Sequence, residues 1–495
     1  MKLTINNTTG LLNDYYFQTL SLLYFPGEKF PTGVDLSPNS AEYFLEKRGN
    51  GYYGKAVLHA GSRYEQGEFS TDGYEFSVPV HDELNAQCAI GKAFLIAGEK
   101  LFGFSLPWGY ITGLRPVKRA RFYLDKGYDD ETVTRLFVTD HNISKEKTEL
   151  SIRTAHNEIR MLKDVGEKTA GLYISIPFCP TRCQYCSFVS YSTPRLLKML
   201  PDYVELLIKD IKATACVMKE LGIKLSAIYV GGGTPSILSP EQTRKVLGTV
   251  TENFDLSVLR EFTFEAGRPD TITKDKLISA KESGVTRVSI NPQSLNENVL
   301  HAIGRQHTTQ QFFEAYDIAR GIGFDSINAD LIAGLPEDTF ETFCSSFEKV
   351  LSMGFENITL HTLSIKNAAA LRFSKENVYD PSGRLAVSCV QYVYDRMLQS
   401  GMEPYYLYRQ KNTVGNAENT GYSVPGKENL YNILMMEEHS SVFACGAGAI
   451  TKLVSPDEEI IDRIAHQKYP YEYLDTPKGI GEDRIKKFYK QYFGC

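Results

Sequence analysis

From residue 171 onward, short apolar runs of strand character alternate with longer stretches whose apolar residues recur at helical spacing. The strand-like runs cover 171–176, 227–230, 261–264, 287–290, 326–331 and 357–363. Between them, 196–220, 240–253, 274–283, 296–303 with 310–321, and 340–353 read as helices. This alternation predicts the α/β class: six β/α units whose parallel sheet curls into an incomplete (β/α)6 barrel, because βαβ crossovers cover both faces of such strands. Barrel active sites gather at the carboxyl ends of the strands, so chemistry is expected in the segments that follow each run.

The flanking regions follow other patterns. Ahead of the barrel, alternating runs rich in Tyr and Gly (GYYGKAVLHAG, GYEFSVPV) and an amphipathic stretch over 83–102 predict an N-terminal α+β domain. A polar run from 143 to 171, dense in Lys and Glu, predicts a helix and linker. Beyond about 375 come a helical stretch at 383–400, the aromatic run PYYLYRQ and the segment CGAGA. These predict a C-terminal α+β cap over the open side of the barrel. The expected domains are 1–165, 166–370 and 371–495, in keeping with a length that exceeds what one core usually organises.

Composition narrows the function. With 42% hydrophobic and 23% charged residues the chain is globular, neither disordered nor fibrous. Its net charge of −6 and the lack of a long basic block argue against nucleic acid and favour a small-molecule substrate. The opening MKLTINNTTGLLNDYY has no basic region followed by an apolar one, and nowhere do eighteen apolar residues run together, so a cytoplasmic, non-spanning protein is expected.

Of nine cysteines, Cys88, Cys216, Cys344, Cys389, Cys445 and Cys495 are scattered and read as reduced, structural thiols. Cys179, Cys183 and Cys186 instead form a CxxxCxxC triplet directly after the first barrel strand, within YISIPFCPTRCQYCS. Such packing in a reduced compartment points to metal rather than to disulfides. Three thiolates can ligate three irons of a cubane and leave the fourth open. The alternatives are a coincidence of thiols or a zinc site, but structural zinc normally takes four ligands, and no further Cys or His occurs before Cys216.

The triplet, with an aromatic residue (Tyr185) before its last cysteine, resembles the signature of the radical S-adenosylmethionine (SAM) superfamily. That resemblance implies a radical SAM barrel with a [4Fe-4S] cluster on Cys179, Cys183 and Cys186, and SAM on the open iron. It also implies a low-potential electron donor such as flavodoxin or ferredoxin. Tyr173 resembles the tyrosine of the YxHIPFC opening of one branch, although Ser175 stands where that opening has histidine. For Tyr173 and Tyr185 the resemblance implies places beside the cofactor, and for Tyr173 a part in catalysis.

After the second strand, Gly231, Gly232, Gly233, Thr234 and Pro235 form a turn whose backbone can approach a ligand closely. Glu265 ends the third strand, Gln293 follows the fourth, Arg305 lies twelve residues on, and Asp330 interrupts the apolar fifth strand. A carboxylate in a buried strand is costly unless paired or bound to a ligand. A structural ion pair, such as Arg305 with Asp330, is one reading. The other comes from resemblance to the coproporphyrinogen dehydrogenase branch, which implies Glu265 and Arg305 near the methionine carboxylate of SAM and Gln293 and Asp330 at its ribose.

Over about 170–450, and through the N-terminal extension and YYLYRQKNTVGNAENTGY, the chain most resembles the long, Gram-positive-type branch of oxygen-independent coproporphyrinogen III dehydrogenases. The implied reaction in heme biosynthesis is oxidative decarboxylation of two propionates to vinyls, giving protoporphyrinogen IX, with an electron acceptor to collect the electrons. Two features depart from the branch. The fourth cysteine found just after the triplet in some members is absent, since Ser187 and Phe188 follow Cys186. A related heme chaperone branch also lacks it, but that branch's HNxxYW motif falls on Glu428, Asn429, Leu430, Tyr431, Asn432 and Ile433, without the histidine. The chaperone, and a radical SAM enzyme acting on another tetrapyrrole, are the alternatives. For the propionates, Arg409 and Lys411 in the aromatic run are the candidate cations, set against the reading of two solvated charges beside a core strand. The cluster Arg115, Lys118, Arg119 and Arg121 is similar but is not assigned.

Overall fold

A computed structural model of the chain describes residues 1–31, 37–186, 188, 190–364, 383–410, 413–476 and 481–494. Contacts divide the chain into two compact units, Met1–His156 with Arg409–Asn412, and Asn157–Tyr408 with Thr413–Cys495.

The first unit is built on a four-stranded sheet in the order β1 (Lys2–Asn7), β2 (Asn39–Arg48), β3 (Gly51–Ala60), β4 (Arg63–Ser70), with helix α1 (Asp14–Ser21) between the first two strands. In β2 and β3 buried and part-buried residues alternate, as a sheet covered on one face requires. Helix α2 (Asp82–Phe102) covers that face and comes very close to it. A Cβ at Gly67 of β4 would stand 2.2 Å from the Ala93 carbonyl, so only glycine admits this approach. Helices α3 (Pro116–Asp125) and α4 (Asp130–Arg135) follow, and α5 (Lys145–Leu162) runs across the sequence boundary into the second unit, where a helix and linker were expected.

The second unit alternates strand and helix. Strand β5 (Thr169–Ile176) leads through α6 (Pro194–Leu197) and α7 (Leu200–Glu220) to β6 (Lys224–Gly232). Then come α8 (Pro240–Asn253), β7 (Glu261–Gly267), α9 (Lys274–Glu282), β8 (Arg287–Ile290), α10 (Glu297–Ala302) and α11 (Thr309–Ile322). The series ends with β9 (Ser326–Ala333), α12 (Phe340–Ser352) and β10 (Asn357–Thr362). All six strands pair in parallel in sequence order, so the α/β expectation holds, and each predicted strand falls on an observed one. Capping boxes at Ser239 with Gln242 and Thr308 with Gln311 start α8 and α11 where the sequence places polar residues before an apolar stripe.

The remaining elements are α13 (Arg384–Gln399), β11 (Glu403–Arg409), β12 (Glu418–Ser423), α14 (Leu430–Glu437), β13 (Val442–Cys445), β14 (Ile450–Val454), β15 (Ile461–Ala465), α15 (Pro470–Leu474) and α16 (Glu482–Tyr492). Strand β12 pairs antiparallel with β10, and β13 pairs in parallel with β5. The C-terminal segment therefore supplies both margins of one eleven-stranded sheet, and residues 413–494 share a unit with the six parallel strands. Among the described residues no helix is long and apolar enough to cross a membrane.

Candidate active site

The carboxyl ends of β5 to β9 gather most of the residues singled out in the sequence. After β5 the chain enters the cysteine loop, whose base is pinned by Cys179 N donating to Tyr191 O (3.0 Å) and Tyr191 N donating to Pro177 O (2.8 Å). Within it, Cys186 N bonds to Cys183 O and Gln184 N to Ile303 O. Thr234 Oγ1 donates to Cys179 Sγ at 3.3 Å. Burial pushes the Cys179 and Cys186 thiols up from their ordinary pKa, so a bound cation is what would hold them as thiolates. Among the described residues no three His, Cys, Asp or Glu side chains converge on a point as one metal ion demands. A cubane asks for a wider spacing, since each thiolate meets a different iron, and three cysteines on one short loop fit that donor set.

The glycine turn beside the loop is needed sterically. A Cβ at Gly233 would stand 2.6 Å from Phe178 O, and one at Gly231 2.8 Å from Glu265 Oε2. The Glu265 carboxylate accepts from Gly232 N–H, and burial together with the nearby Asp330 charge pushes its pKa up to about 8, against an opposing pull from Arg305. A bulge between Glu265 and Gly267 ends the regular pairing of β7 at this point.

Gln293 holds a left-handed backbone (φ 67°), locked by its N–H to Asp330 O (2.9 Å) and its C=O to Ile332 N (3.1 Å). Its buried side-chain oxygen finds no hydrogen-bond partner. Strain and an orphaned acceptor in one residue are what a ligand-binding position leaves when the ligand is away. Asp330 Oδ1 accepts from Asn328 Nδ2 (2.7 Å), and its Oδ2 lies 3.7 Å from His361 Nε2. Arg305 directs Nη2 and Nε to Tyr185 Oη (3.1 and 3.3 Å) and Nη1 to Gly267 O. Its hydrogen bonds thus go to Tyr185 and Gly267, not to Asp330.

Glu265, Asp330 and His361 line a cavity of about 220 Å³, with Tyr229, Tyr406 and Tyr408 among its walls and Arg287, Asn357 and Asn429 also in its lining. Tyr173 stacks close by, its ring 6.3 Å from Tyr229 and 6.1 Å from Tyr431. His361, Tyr229 and Tyr431 were not anticipated. Each lies in an ordinary-looking strand or helix, and only the pairing of β6, β10 and α14 around one space gives it meaning.

Of the two predicted substrate cations, Arg409 is the one among the described residues. Arg409 is buried, with Nη1 on Ile111 O (2.7 Å), backbone N on Leu114 O (2.7 Å) and the guanidinium over the Trp108 ring. It does not line the cavity. Lys411 lies outside the described residues. Glu428 is also buried, accepting from Gly426 N and pairing with Arg160.

The sequence pattern of the radical SAM superfamily matches residues 173–350, which span the cysteine loop, the glycine turn and β5 to β9. The oxygen-independent coproporphyrinogen-III oxidase-like protein HemZ of Bacillus subtilis is 36% identical over 390 residues, 78% of this chain and 77% of that protein. The heme chaperone HemW of Lactococcus lactis is 30% identical, covering 65% of this chain and 79% of its own. The solved coproporphyrinogen III oxidase HemN of Escherichia coli superposes with a TM-score of 0.51 at 24% identity over 64% of this chain and 71% of its own, a likeness of fold. The chain belongs to the radical SAM superfamily, whose cofactors are a [4Fe-4S] cluster and SAM, and within it to the family that holds the oxygen-independent coproporphyrinogen-III oxidase-like proteins.

Proposed function

We propose that this protein is an oxygen-independent coproporphyrinogen III dehydrogenase, converting two substrate propionates to vinyls with release of carbon dioxide. The observation that carries the reading is the meeting of the cysteine loop, the glycine turn, Glu265, Gln293 and Asp330 at one end of the parallel strands, next to a polar cavity. Cys179, Cys183 and Cys186 would hold the cluster. Gly232, Gly233, Thr234, Glu265, Gln293 and Arg305 would hold SAM, with Asp330 at its ribose and Tyr185 bracing Arg305. When bound, the reduced cluster and SAM supply the radical that removes a hydrogen from the propionate β-carbon.

The chain's own part is to bind, orient and keep water out. Tyr173 packs against Tyr229 and Tyr431, and Tyr229 lines the cavity, so the aromatic group backs one wall and helps exclude water. Electrons would come from a low-potential donor protein.

A heme chaperone needs an axial ligand for heme iron. The position that would carry it is Glu428, already committed to Arg160 and Gly426. The deciding experiment is anaerobic incubation of cluster-loaded protein with reductant, SAM and coproporphyrinogen III. Mass detection of two successive losses, with 5′-deoxyadenosine, is expected. Tight stoichiometric heme binding without decarboxylated product, despite active SAM cleavage, would overturn the assignment in favour of the chaperone.

A further inference from the structure

Arg268 comes directly after β7, at the strand end that faces the cysteine loop, and is only 4% exposed. Its guanidinium is held on two sides. Nε and Nη2 meet the two oxygens of Asp270, each at 3.2 Å, in a bidentate fork. The remaining nitrogen, Nη1, reaches into the loop, donating to Thr181 O (3.0 Å) and Thr181 Oγ1 (2.8 Å) and toward Cys183 Sγ at 3.9 Å. A buried cation fixed by a carboxylate on one edge thus presents an N–H to one of the three sulfurs that would carry the cluster.

We propose that Arg268 is a positioning residue that sets the reduction potential of the cluster through Cys183, with Asp270 limiting the effect. The inference rests on the assignment of Cys183 as a cluster ligand. A donor and a full positive charge beside a thiolate stabilise the more negative, reduced cluster over the oxidised one, and hydrogen bonds to ligand sulfurs are among the main determinants of such potentials. Burial strengthens the effect, since screening by water is weak there. Asp270 does two things: it orients the fork, and its charge offsets part of the field that reaches the sulfur. Thr234, bonded to Cys179 Sγ, is a second donor but a neutral one; Arg305 and Arg182 also act on the triplet through their charge, and what sets Arg268 apart is an N–H directed at the Cys183 sulfur.

The test is a potentiometric titration of the anaerobically reconstituted full-length protein, without SAM, followed by electron paramagnetic resonance. Arg268→Gln should load iron and become harder to reduce by about tenfold in the one-electron equilibrium, a shift of about 59 mV to lower potential. Asp270→Asn should move the midpoint the opposite way. Thr181→Val, which removes a brace but neither the charge nor the Cys183 contact, should leave it near the parent value. An iron-loaded Arg268→Gln with an unmoved midpoint overturns the proposal. Should that variant hold no iron, Asp270→Asn decides alone, and an unmoved or lowered midpoint there overturns it. Failure of the parent protein to take up iron would instead sink the cluster assignment, a result distinct from either.

Discussion

The two ends of the parallel strands in the second unit are both polar and both buried, yet their charged groups find partners to different degrees. At the amino ends, Glu261 pairs with Arg287 (3.8 Å) and accepts the N–H groups of Leu430 and Tyr431 (2.9 and 2.7 Å), which start α14. Arg287 goes on to Asn357, Lys427 O and Glu428 O, while Asn429 bonds to Thr263 Oγ1 (3.1 Å). At the carboxyl ends, the Gln293 oxygen has no partner, Glu265 is pushed toward its neutral form, and Asp330 keeps one oxygen out of hydrogen-bond range of His361. Unpartnered side-chain oxygens occur at both ends, Ser326 Oγ and Ser423 Oγ among them, so the contrast lies in the charges: Glu261 meets a cation, whereas Glu265 and Asp330 raise each other's cost.

The contrast breaks most visibly if metal loading and folding are not separable. Changing Cys179, Cys183 and Cys186 together to Ala should abolish iron uptake, about four irons per cluster by the stoichiometry of a cubane, while the chain stays folded by circular dichroism. Iron retained by the triple variant, or zinc alone in the parent, would refute the cluster. At the opposite end, Glu261→Ala strands Arg287 beside an apolar helix start and should cost about 3–5 kcal/mol in chemical denaturation. A loss below about 1 kcal/mol would show that this end is not the structural one.

Smaller effects sharpen the comparison. Glu265→Gln and Asp330→Asn should weaken SAM binding by about 10–100-fold, the worth of a hydrogen bond to a charged group, with cluster absorbance nearly unchanged and the SAM-free fold no less stable at neutral pH. Unfolding with unaltered SAM affinity in the folded remainder would return both residues to a structural role. The last test is a pH dependence. With Glu265 raised from 4.5 to about 8, the folded state holds its proton where the unfolded state has lost it. The associated stability is therefore complete below about pH 4.5 and is lost as pH rises through 8. Melting temperatures of the SAM-free protein should fall across that window, and Glu265→Gln should flatten the fall.

Local signals made the barrel and much of the site legible. Strand and helix periodicity sufficed for β5 to β10, because crossover-covered strands must be apolar on both faces. The cysteine triplet and the three glycines were readable because ligand spacing and backbone approach are written in consecutive residues. Arg409 shows the opposite case. Its tyrosine neighbours suggested a wall for propionates, but its partner, the Ile111 carbonyl, lies 298 residues away in sequence. Arg268 gave no signal at all, since nothing in its own segment announces Thr181 or Cys183.

The sequence by itself determined which atoms could ligate iron, where the glycines had to be, and that six strands would alternate with helices. Only the tertiary structure decided that the C-terminal strands join both margins of the same sheet, that Glu428 is tied to Arg160, and that His361 and Tyr229, with Tyr431 stacked on the latter, share one space with Glu265 and Asp330. The reason is physical. Periodicity and ligand spacing are properties of a residue's chain neighbours, whereas the partner of a buried charge is set by which strands the fold lays side by side.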